Sequence, residues 1–527
     1  DSARTVELQQ RPLHSNDLVD AALVFRDSEV YYNVGVRYRG SPWGRPARAN
    51  YRVRLQDDQV FHRGRKAVNF SSRGGAANEG SAYWLCGRNG VPGSPSPTPD
   101  YFYVKFGFNG AGASNYGLIQ PVDRDYLSKW FPGGSDGAAL KCEGRRQFQD
   151  GGDLAGWDGC SYTYRNELPE NYRAYFIPQI RRSVDDWQPF MDLCQTMDRR
   201  KTKDADFDAN IAKVLDVESF LRVLSVRILT ADWDAFGVGN GHNGVLVHSS
   251  ADKLWKLLPF DVDNTFSSAA PSLFPTADPE VARFLARPWA RRLYFQILEQ
   301  YLAGYWSQER ARPYLNAVQA STGVNTQAIQ NHLNSSGRVV QNATKAASSA
   351  AFQVITGGGA EIVVDGPTVE LEGDAPLKVD SILVSVNGGQ PRPFEMLWTT
   401  PSRWKAAISL ERAVTDLQFL GLDRDGMLVG QVDVRVRSTA LVGAFLRGDA
   451  NNDGRFNVTD AIGILSRLFR GGQIACEDAA DIDDNGELNL TDALDALLYL
   501  FQRGSAPAAP FPAAGMDPTE DALGCGS

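Results

Sequence analysis

The sequence contains few of the residues that build several common functional sites. Its 527 residues include six cysteines and five histidines, with no CxxC and no Cys/His ligand spacing, which excludes the usual zinc sites. None of the histidines stands near a serine or cysteine nucleophile motif, so a triad hydrolase is not indicated. No apolar run of about 18 residues occurs, and we therefore expect no membrane-spanning helix.

Positive charge is also scarce. The chain has 54 Lys and Arg against 63 Asp and Glu, a net charge of −9. Nucleic-acid binding requires clustered Lys and Arg for the phosphates, so nucleic acid is not an expected partner. A chain of this length exceeds one hydrophobic core and predicts about three or four domains.

Apolar spacing divides the chain into segments of different structure. Alternation over residues 17–56, followed by the strands YFYVKFGFNG and NYGLIQPV, predicts an antiparallel sheet with a helix at residues 80–88. Helical spacing occupies residues 205–231 and precedes two strands, GVLVHS and KLWKLLPFDVDNTF. Residues 278–350 predict a helical lobe. Short strands at intervals of roughly ten over residues 355–438 are typical of a β-sandwich.

The last eighty residues contain a duplicated loop with the ligand spacing of a calcium site. Oxygen-bearing side chains occupy positions 1, 3, 5, 9 and 12, glycine occupies position 6, and the position-7 residue supplies its backbone carbonyl. The first loop contains Asp449, Asn451, Asp453, Arg455, Asn457 and Asp460. The second contains Asp481, Asp483, Asn485, Glu487, Asn489 and Asp492. Each loop leads into an apolar helix, and the sequence therefore predicts two calcium ions.

The stretches GDANNDGRFNVTDAIGILSRLF and DIDDNGELNLTDALDALLYLF resemble a dockerin over about residues 447–504. This resemblance implies a secreted module that docks onto a cohesin-like protein partner, or supports self-assembly, through its duplicated face. The alternative is a structural calcium clip without a partner, because a motif does not by itself fix a function.

A second group of polar residues follows the helix that ends near residue 231. Asp232 and Asp234 come first, Asn243 lies about ten residues later, and Asp261 and Asp263 follow a buried strand. An Asp, an Asn and a later Asp in this order are typical of phosphoryl-transfer enzymes, in which the last two hold a metal. The alternative is that these acids are turn and capping residues, an interpretation that the residues alone would favour.

Six segments resemble, in order, those of the CotH family of spore-coat-type protein kinases over about residues 30–345. They are VGVRYRGSPWGRPARANYRVRL, NFSSRGGAANEGSAYWL, YVKFGFNGAGASNYGLIQPVDRDYLSKWF, GAALKCEG, WDAFGVGNGHNGVLV and LLPFDVDNTF. The resemblance implies an ATP- and magnesium-dependent protein kinase. It implies the following roles: Asp234 as catalytic base with Asp232 as a second catalytic candidate, Asn243, Asp261 and Asp263 around magnesium, and Arg39, Arg48 and Glu79 around the nucleotide.

Two segments depart from the family pattern. Arg48 stands where the family usually has lysine, and arginine keeps the charge without the compact ammonium geometry. In the family's GxYxxxE strand, which begins here at Gly117, Ile119 replaces the tyrosine and Asp123 the glutamate. Either the enzyme tolerates these changes or the domain is a degenerate kinase.

The cysteines suggest a compartment. Cys476 and Cys525 bracket the second loop and are predicted to form a disulfide that ties back the tail, and Cys142 with Cys160 is predicted to close the segment GGDLAGWDG. Calcium loops together with disulfides predict a secreted, extracellular or cell-surface protein. A first residue of Asp1 would also follow from removal of a signal peptide, or from a chain boundary.

The expected architecture is multidomain α+β. Residues 1–350 are predicted to form the kinase-like domain, an antiparallel sheet with a helical lobe, residues 351–440 an Ig-like sandwich, and residues 441–527 a small all-α dockerin-like domain. The expected function is phosphorylation of Ser or Thr on extracellular or coat proteins. The rival is a degenerate kinase fold that serves as a structural component of a surface layer or fibre. A glycan-degrading enzyme ranks third, because no segment marks out a carboxylate pair in a sugar cleft.

Overall fold

The computed structural model describes residues 2–12, 15–40, 45–72, 77–90, 96–149, 154–180, 184–266, 271–359, 361–441, 443–519 and 521–525. The chain divides into two compact units, Asp1–Lys345 and Ala346–Ser527. Within these ranges, no helix has both the length and the apolar character needed to cross a membrane.

The first unit contains both helices and sheets. Its described helices are α1 (Ser2–Gln10), α2 (Ala77–Arg88), α3 (Arg124–Trp130), α4 (Glu170–Arg173), α5 (Gln188–Met197), α6 (Asp204–Val214), α7 (Val217–Leu229), α8 (Pro279–Ala286), α9 (Pro288–Ala303), α10 (Gln308–Thr322) and α11 (Gln327–Ser348). Its described strands are β1 (Val19–Phe25), β2 (Glu29–Tyr38), β3 (Tyr51–Arg54), β4 (Ala67–Ser71), β5 (Tyr101–Phe106), β6 (Ser114–Ile119), β7 (Ala138–Cys142), β8 (Arg145–Phe148), β9 (Leu154–Asp158), β10 (Phe176–Pro178), β11 (Gly244–His248) and β12 (Trp255–Pro259).

The predicted antiparallel sheet in the first 120 residues is confirmed. Its strands lie in the order β1-β2-β3-β4-β6-β5, and each neighbouring pair is antiparallel. Because side chains alternate along a strand, Val34, Val53 and Val68 point into a common core. On the opposite face, Arg37 of β2 and Arg52 of β3 stand directly across from each other.

A second antiparallel sheet has the order β10-β7-β11-β12, and α7 packs against β12. The single helical segment predicted at residues 205–231 is two helices, because Leu215 is extended and forms a bridge with Trp255. Asp216 then caps α7 by accepting a hydrogen bond from the Ser219 N–H at 3.1 Å. This capped, buried helix ends at the segment that carries Asp234.

The second unit begins with a two-sheet sandwich. Its described strands are β13 (Gln353–Val354), β14 (Ile362–Val364), β15 (Thr368–Asp374), β16 (Ser381–Val386), β17 (Arg392–Pro393), β18 (Leu397–Trp398), β19 (Arg403–Ser409), β20 (Val414–Leu422) and β21 (Leu428–Ser438). One sheet has the order β13-β15-β19-β18 and the other β14-β21-β20-β16-β17. The core between them includes Trp404 and Phe419, which are almost completely buried.

The described residues after the sandwich form three helices, α12 (Val458–Arg470), α13 (Glu477–Ala480) and α14 (Leu490–Gln502). The first and third begin in the same way. Asn457 and Asn489 are their N-caps, and Asp460 and Asp492 accept hydrogen bonds from the backbone N–H of these caps. These reciprocal capping boxes satisfy backbone donors at the start of each helix. The loop acids therefore also stabilise the helices that follow the loops.

The two predicted disulfides have different outcomes. The Cys476–Cys525 disulfide is confirmed. The Cys142–Cys160 disulfide is not formed, because both cysteines are free and buried. The Cys160 thiol donates to the Tyr175 carbonyl at 3.1 Å and accepts from the Gly144 N–H at 3.2 Å. Spacing alone predicted this bridge, whereas these hydrogen bonds hold Cys160 as a thiol.

Candidate functional site

The segment between α7 and β11 fixes the carboxylate of Asp234. Three side-chain amides donate to it: Asn240 to Oδ1 at 2.9 Å, and Asn243 and Asn264 to Oδ2 at 2.8 and 3.3 Å. The backbone closes around it, with the Asn240 N–H donating to the Trp233 carbonyl at 2.9 Å. Asp234 is only partly buried, so this carboxylate is both oriented and accessible.

Asp261 lies just beyond the end of β12, and its backbone N–H donates to the Tyr83 hydroxyl of α2 at 3.0 Å. Asp261 and Asn243 have φ values of 52° and 53°, a left-handed conformation that Asp and Asn adopt more readily than most residues. Such backbone strain persists where the surrounding structure enforces it, often at functional sites. Asn243 donates its amide N–H to Asp234, while its Oδ1 is buried without a donor among the described residues.

Glu79 of α2 brings a further carboxylate to this region. It is 1% exposed, and burial raises its pKa to about 8, with the carboxylates of Asp261 and Asp263 adding to the effect. Arg39 opposes this rise, and its Nη2 lies 3.9 Å from Asp261 Oδ1. The predicted residues Arg39, Glu79, Asp261 and Asp263 are therefore close together, and a cation among these acids would relieve their repulsion.

Asp232 does not fit its predicted catalytic role. Its side chain is fully buried and forms an ion pair with Arg227, Nε to Oδ2 at 2.7 Å. Burial raises the pKa of Asp232 to about 7, although Arg227 opposes this change. A carboxylate without exposed surface cannot meet a substrate. Arg227 also donates to the Phe260 carbonyl at 2.9 Å, so the pair holds the backbone immediately before Asp261.

A cleft of about 280 Å³ opens beside Asp261. Cationic side chains dominate its charged lining, and the described ones are Arg37, Arg39, Arg45, Arg52, Lys141 and Arg146. Burial lowers the pKa of Arg37 to about 10 and that of Arg146 to about 10, and neighbouring arginines contribute to both shifts. These groups repel one another, so a polyanion bound among them would be stabilised.

The family resemblance placed Arg48 around the nucleotide, but the structure does not place it among the described residues of the cleft. Its side chain is exposed, its guanidinium lies over the Tyr38 ring at 5.9 Å, and it is not among the described lining residues. The chain turns at Arg48, which has a φ of 48°, before β3 begins. Lys141 and Glu143, which sequence reasoning missed, lie in the cleft and form an ion pair. No charge pattern in the sequence marks these two residues, which belong to the CotH-like segment GAALKCEG.

Asp123, Ile119 and His242 have structural roles near the site. Asp123 caps α3 by accepting from the Tyr126 N–H at 3.1 Å, and Ile119 is buried in the sheet. Burial and the Lys141 ammonium lower the pKa of His242 to about 4, so its ring is neutral near pH 7. Its Nδ1 lies 3.1 Å from the Glu143 carbonyl, which fixes the residue next to Asn243.

The donor set here fits magnesium. Magnesium prefers oxygen ligands and is usually held by one or two carboxylates together with substrate phosphates. Asn243 Oδ1 is a buried acceptor that receives no hydrogen bond from the described residues, and the side chain of Asp261 is 30% exposed. Asn243, Asp261 and Asp263 would hold the ion, which would supply positive charge to a phosphate in the adjoining cleft.

The predicted calcium loops share one backbone arrangement. In the first, Asp449 accepts from the N–H groups of Asp453 and Gly454 at 2.8 and 2.7 Å. In the second, Asp481 accepts from those of Asn485 and Gly486 at 3.3 and 2.8 Å. The position-1 acid is thereby fixed at the centre of each loop.

The acids of the second loop converge. Oxygen atoms of Asp481, Asp483 and Asp492 lie within 4.8 Å of one another. Burial raises the pKa of Asp481 to about 6, and the nearby carboxylate of Asp492 adds to the shift; burial and Asp460 do the same for Asp449. Hard oxygen donors crowded in this way fit calcium, whose charge would offset their repulsion.

An exposed apolar surface lies on the helices that follow the loops. We call it the two-helix apolar face, and its exposed members are Val458, Ile462, Phe469, Leu490, Leu494, Leu498 and Phe501. Phe469 and Phe501 are 69% and 67% exposed. Large apolar side chains exposed in this number often belong to a protein interaction site.

Comparison with known proteins identifies a family domain in the first unit. The family described as "CotH kinase protein" matches residues 93–353. This region contains the Asp234 segment, the acid after β12 and the cleft lysine. Arg39, Arg48 and Glu79 precede it, so the family match does not cover these three residues.

Three relatives are similar to parts of the chain. Invasin CotH2 and Invasin CotH3 of Rhizopus delemar are 25% and 23% identical over 31% and 32% of this chain and 26% of each relative. Inner spore coat protein H of Bacillus subtilis is 23% identical over 43% of this chain and 59% of that protein. The chain thus spans about a quarter of the length of the two invasins.

A solved structure of Clostridium thermocellum CbhA fibronectin(III)-like modules is also similar, with 11% identity. The match covers 17% of this chain and 95% of that one, with a TM-score of 0.13. A TM-score this low does not establish a common fold.

Proposed function

Because residues 93–353 form a CotH-family domain, we propose that the first unit is a protein kinase that transfers phosphate from magnesium ATP to Ser or Thr hydroxyls. The observation that carries this proposal is the adjacency of two features. A cleft lined by cationic side chains adjoins Asp261, while Asn243 donates to Asp234 and its own Oδ1 accepts no hydrogen bond from the part of the chain that the structure describes. Phosphoryl transfer depends mainly on positioning and charge stabilisation.

The cleft residues would bind the phosphates. Arginine presents planar pairs of N–H donors that match phosphate oxygens, and Lys141 adds a compact charge. Arg37 and Arg52 stand opposite each other on β2 and β3, which brings two guanidinium groups to the same side of the sheet. Arg48 is exposed and is not among the described lining residues, so its departure from the family pattern does not alter the described cleft.

Asp234 would orient the acceptor hydroxyl and take its proton. Its carboxylate has a fixed orientation because three amides donate to it, and it stays partly exposed. Asn243 links this carboxylate to the metal, since its N–H group donates to Asp234 while Oδ1 is available to the ion. Loss of the Asp261 carboxylate should therefore weaken the binding of metal and nucleotide, whereas loss of the Asp234 carboxylate should slow the transfer of phosphate.

The test compares two variants that each remove one charge. Asp261→Asn should abolish magnesium-dependent ATP binding, because the metal loses its charged ligand. Asp234→Asn should leave binding within about threefold and reduce transfer at least about a hundredfold, the typical contribution of a positioned base. Binding is measured by titration calorimetry with ATP and magnesium, and transfer by phosphate incorporation into a Ser/Thr peptide library.

The matched control is Asp57→Asn, which removes the same charge from a side chain that is 94% exposed. It should change neither quantity. The kinase proposal fails if wild type binds no ATP with magnesium in excess while both site variants stay folded and behave like it.

A structural role is the second candidate. It is favoured by the names of the relatives, two invasins and a spore coat protein, and by the two-helix apolar face, which could hold a further protein. In this alternative the first unit is a degenerate kinase fold in a surface layer or fibre. The absence of ATP binding in the test above would support it.

For the second unit we propose a dockerin-like calcium module. Two calcium ions would fix the loops, and the two-helix apolar face would bind a cohesin-like protein or a second copy of the chain. Phe469→Ser with Phe501→Ser should abolish either association without altering calcium binding, as measured by sedimentation and calorimetry. Calcium loops and the Cys476–Cys525 disulfide support a secreted, extracellular or cell-surface location.

A further inference from the structure

The two calcium-type loops have equal ligand charge but different surroundings. Each supplies three carboxylates, Asp449, Asp453 and Asp460 in the first and Asp481, Asp483 and Asp492 in the second. A difference in calcium affinity that arises from charge must therefore come from groups outside these ligands. The contrast appears at the position-6 glycine of each loop, where the backbone is left-handed and other parts of the chain approach closely.

A guanidinium lies against the first loop. Gly454 has a φ of 86°, and a Cβ there would collide with Nη2 of Arg412. Arg412 belongs to the sandwich, between β19 and β20, and its Nη2 is 3.8 Å from Asp449 Oδ2. A positive charge is thus held beside the position-1 ligand, where it would repel calcium.

A carboxylate lies at the equivalent place in the second loop. Gly486 has a φ of 80°, and a Cβ there would lie 3.4 Å from Oδ2 of Asp521. Asp521 belongs to the C-terminal tail. Oxygens of Asp521, Asp481 and Asp484 lie within 4.8 Å of one another. Here the added charge is negative, and it would attract calcium.

The tail is held in this position by several contacts. Cys525 is bonded to Cys476, and the Glu477 N–H donates to the Gly524 carbonyl at 3.0 Å. The Thr519 hydroxyl donates to Asp484 at 2.7 Å. Arg447, which is 1% exposed, pairs with Asp517 at 2.8 Å and with Asp484 at 2.7 Å. Asp521 is therefore placed by contacts on both sides of it.

We propose that the loops bind calcium with unequal affinity, the second more tightly, because Arg412 opposes calcium at the first and Asp521 assists it at the second. This inference rests on the calcium module proposed above. The position-7 side chains, Arg455 and Glu487, differ in the same sense but are exposed. A unit charge near a divalent ion at the protein surface changes the dissociation constant by roughly three- to tenfold.

The experiment titrates calcium into the full chain after removal of bound metal. Wild type should have two sites whose dissociation constants differ by roughly tenfold or more. Asp453→Ala should remove the weaker site and Asn485→Ala the tighter one, which assigns each constant to a loop. Arg412→Gln should then tighten the weaker site about threefold to tenfold, and Asp521→Asn should weaken the tighter site by a similar factor.

Three controls separate charge from folding. Arg412→Lys keeps the charge and should retain the weak first site. Arg470→Gln at the end of α12 and Asp425→Asn in an exposed turn change net charge equally, and should leave both constants unchanged. Reduction of the Cys476–Cys525 disulfide should release the tail and weaken the second site as Asp521→Asn does, without any substitution.

The outcomes distinguish the two proposals. No calcium uptake by wild type would overturn the calcium module, and this inference with it. Two sites of equal affinity would overturn the inference alone. The inference would also be overturned if the two sites were unequal but neither Arg412→Gln nor Asp521→Asn changed its calcium dissociation constants by more than twofold relative to the control variants.

Discussion

The Arg227–Asp232 ion pair gives a sharp test of how the candidate site is supported. Arg227 is 4% exposed and Asp232 0% exposed, and their charged atoms are 2.7 Å apart. The predicted perturbation is Arg227→Met, which removes the cation and keeps a side chain of similar length. It leaves the Asp232 carboxylate buried without its partner, and it removes the donor to the Phe260 carbonyl.

The expected cost follows from burial. Removing one member of a buried ion pair typically destabilises a protein by about 3–5 kcal/mol, because the other charge stays desolvated. Replacing both members should be milder, so Arg227→Met with Asp232→Asn should recover more than half of the loss. The exposed pair Arg173–Asp185 is the control, since the side chains are 40% and 60% exposed and Arg173→Met should destabilise the protein far less than Arg227→Met.

The loss should also depend on pH. Burial already raises the pKa of Asp232 to about 7, and without Arg227 it should rise further above its unfolded value. A carboxyl group whose folded pKa is raised contributes stability at low pH and loses it as pH rises through that pKa. Wild type and Arg227→Met should lose stability equally between about pH 4 and pH 7, because Asp232 is protonated in both folded states there. The deficit of Arg227→Met should therefore grow above about pH 7, while the double variant should show little such growth.

Scanning calorimetry of the full chain measures these differences. A loss of about 3 kcal/mol should lower the melting temperature of the first unit by roughly 4 °C. A loss below about 1 kcal/mol, equal to that of the surface control and independent of pH, would refute the reasoning. Asp261 would then not depend on the buried pair for its position.

Three further predictions concern separate parts of the molecule. Burial lowers the pKa of Lys141 to about 8, so the affinity for ATP should fall as pH rises through about 8. Fluorescence anisotropy measures this affinity, and Lys141→Arg should remove its pH dependence. An ATP affinity of wild type that does not change with pH would contradict the prediction. Excess chelator should lower the melting temperature of the second unit in wild type, and an unchanged melting temperature would contradict calcium-dependent stability. Asp453→Ala and Asn485→Ala should each remove one bound calcium ion. A Cβ on Gly80 would collide with two tyrosine rings, so Gly80→Ala should cost about 1–3 kcal/mol in calorimetry, whereas the unobstructed Gly463→Ala should not destabilise.

Local patterns in the sequence predicted those structural features that depend only on residues close together in the chain. Alternation at Val34 and Val36 predicted a strand with one buried face, because the period of a strand is two residues. The calcium loops were predictable for the same reason, since one short segment supplies the side-chain ligands and the glycine. Capping boxes at Asn457 and Asn489 belong to these same segments.

Contacts between distant segments could not be predicted in this way. Asp232 looks like Asp234 in sequence, but one is buried against Arg227 and the other is held by three amides at the surface. Cys142 and Cys160 have a plausible spacing for a disulfide, yet the Cys160 thiol donates to a carbonyl on a third segment. Burial and hydrogen-bond partners of this kind follow from the tertiary fold and not from spacing.

The arginines illustrate how register changes an interpretation. The family pattern pointed to Arg48, which the turn before β3 leaves exposed. Strand alternation instead places Arg52 on the face opposite Val53, and the antiparallel register puts it directly across from Arg37. Their shared place in the cleft brings two guanidinium groups to one surface. Guanidinium groups form strong charge-assisted hydrogen bonds with phosphate oxygens, which is the physical reason to propose phosphate binding there.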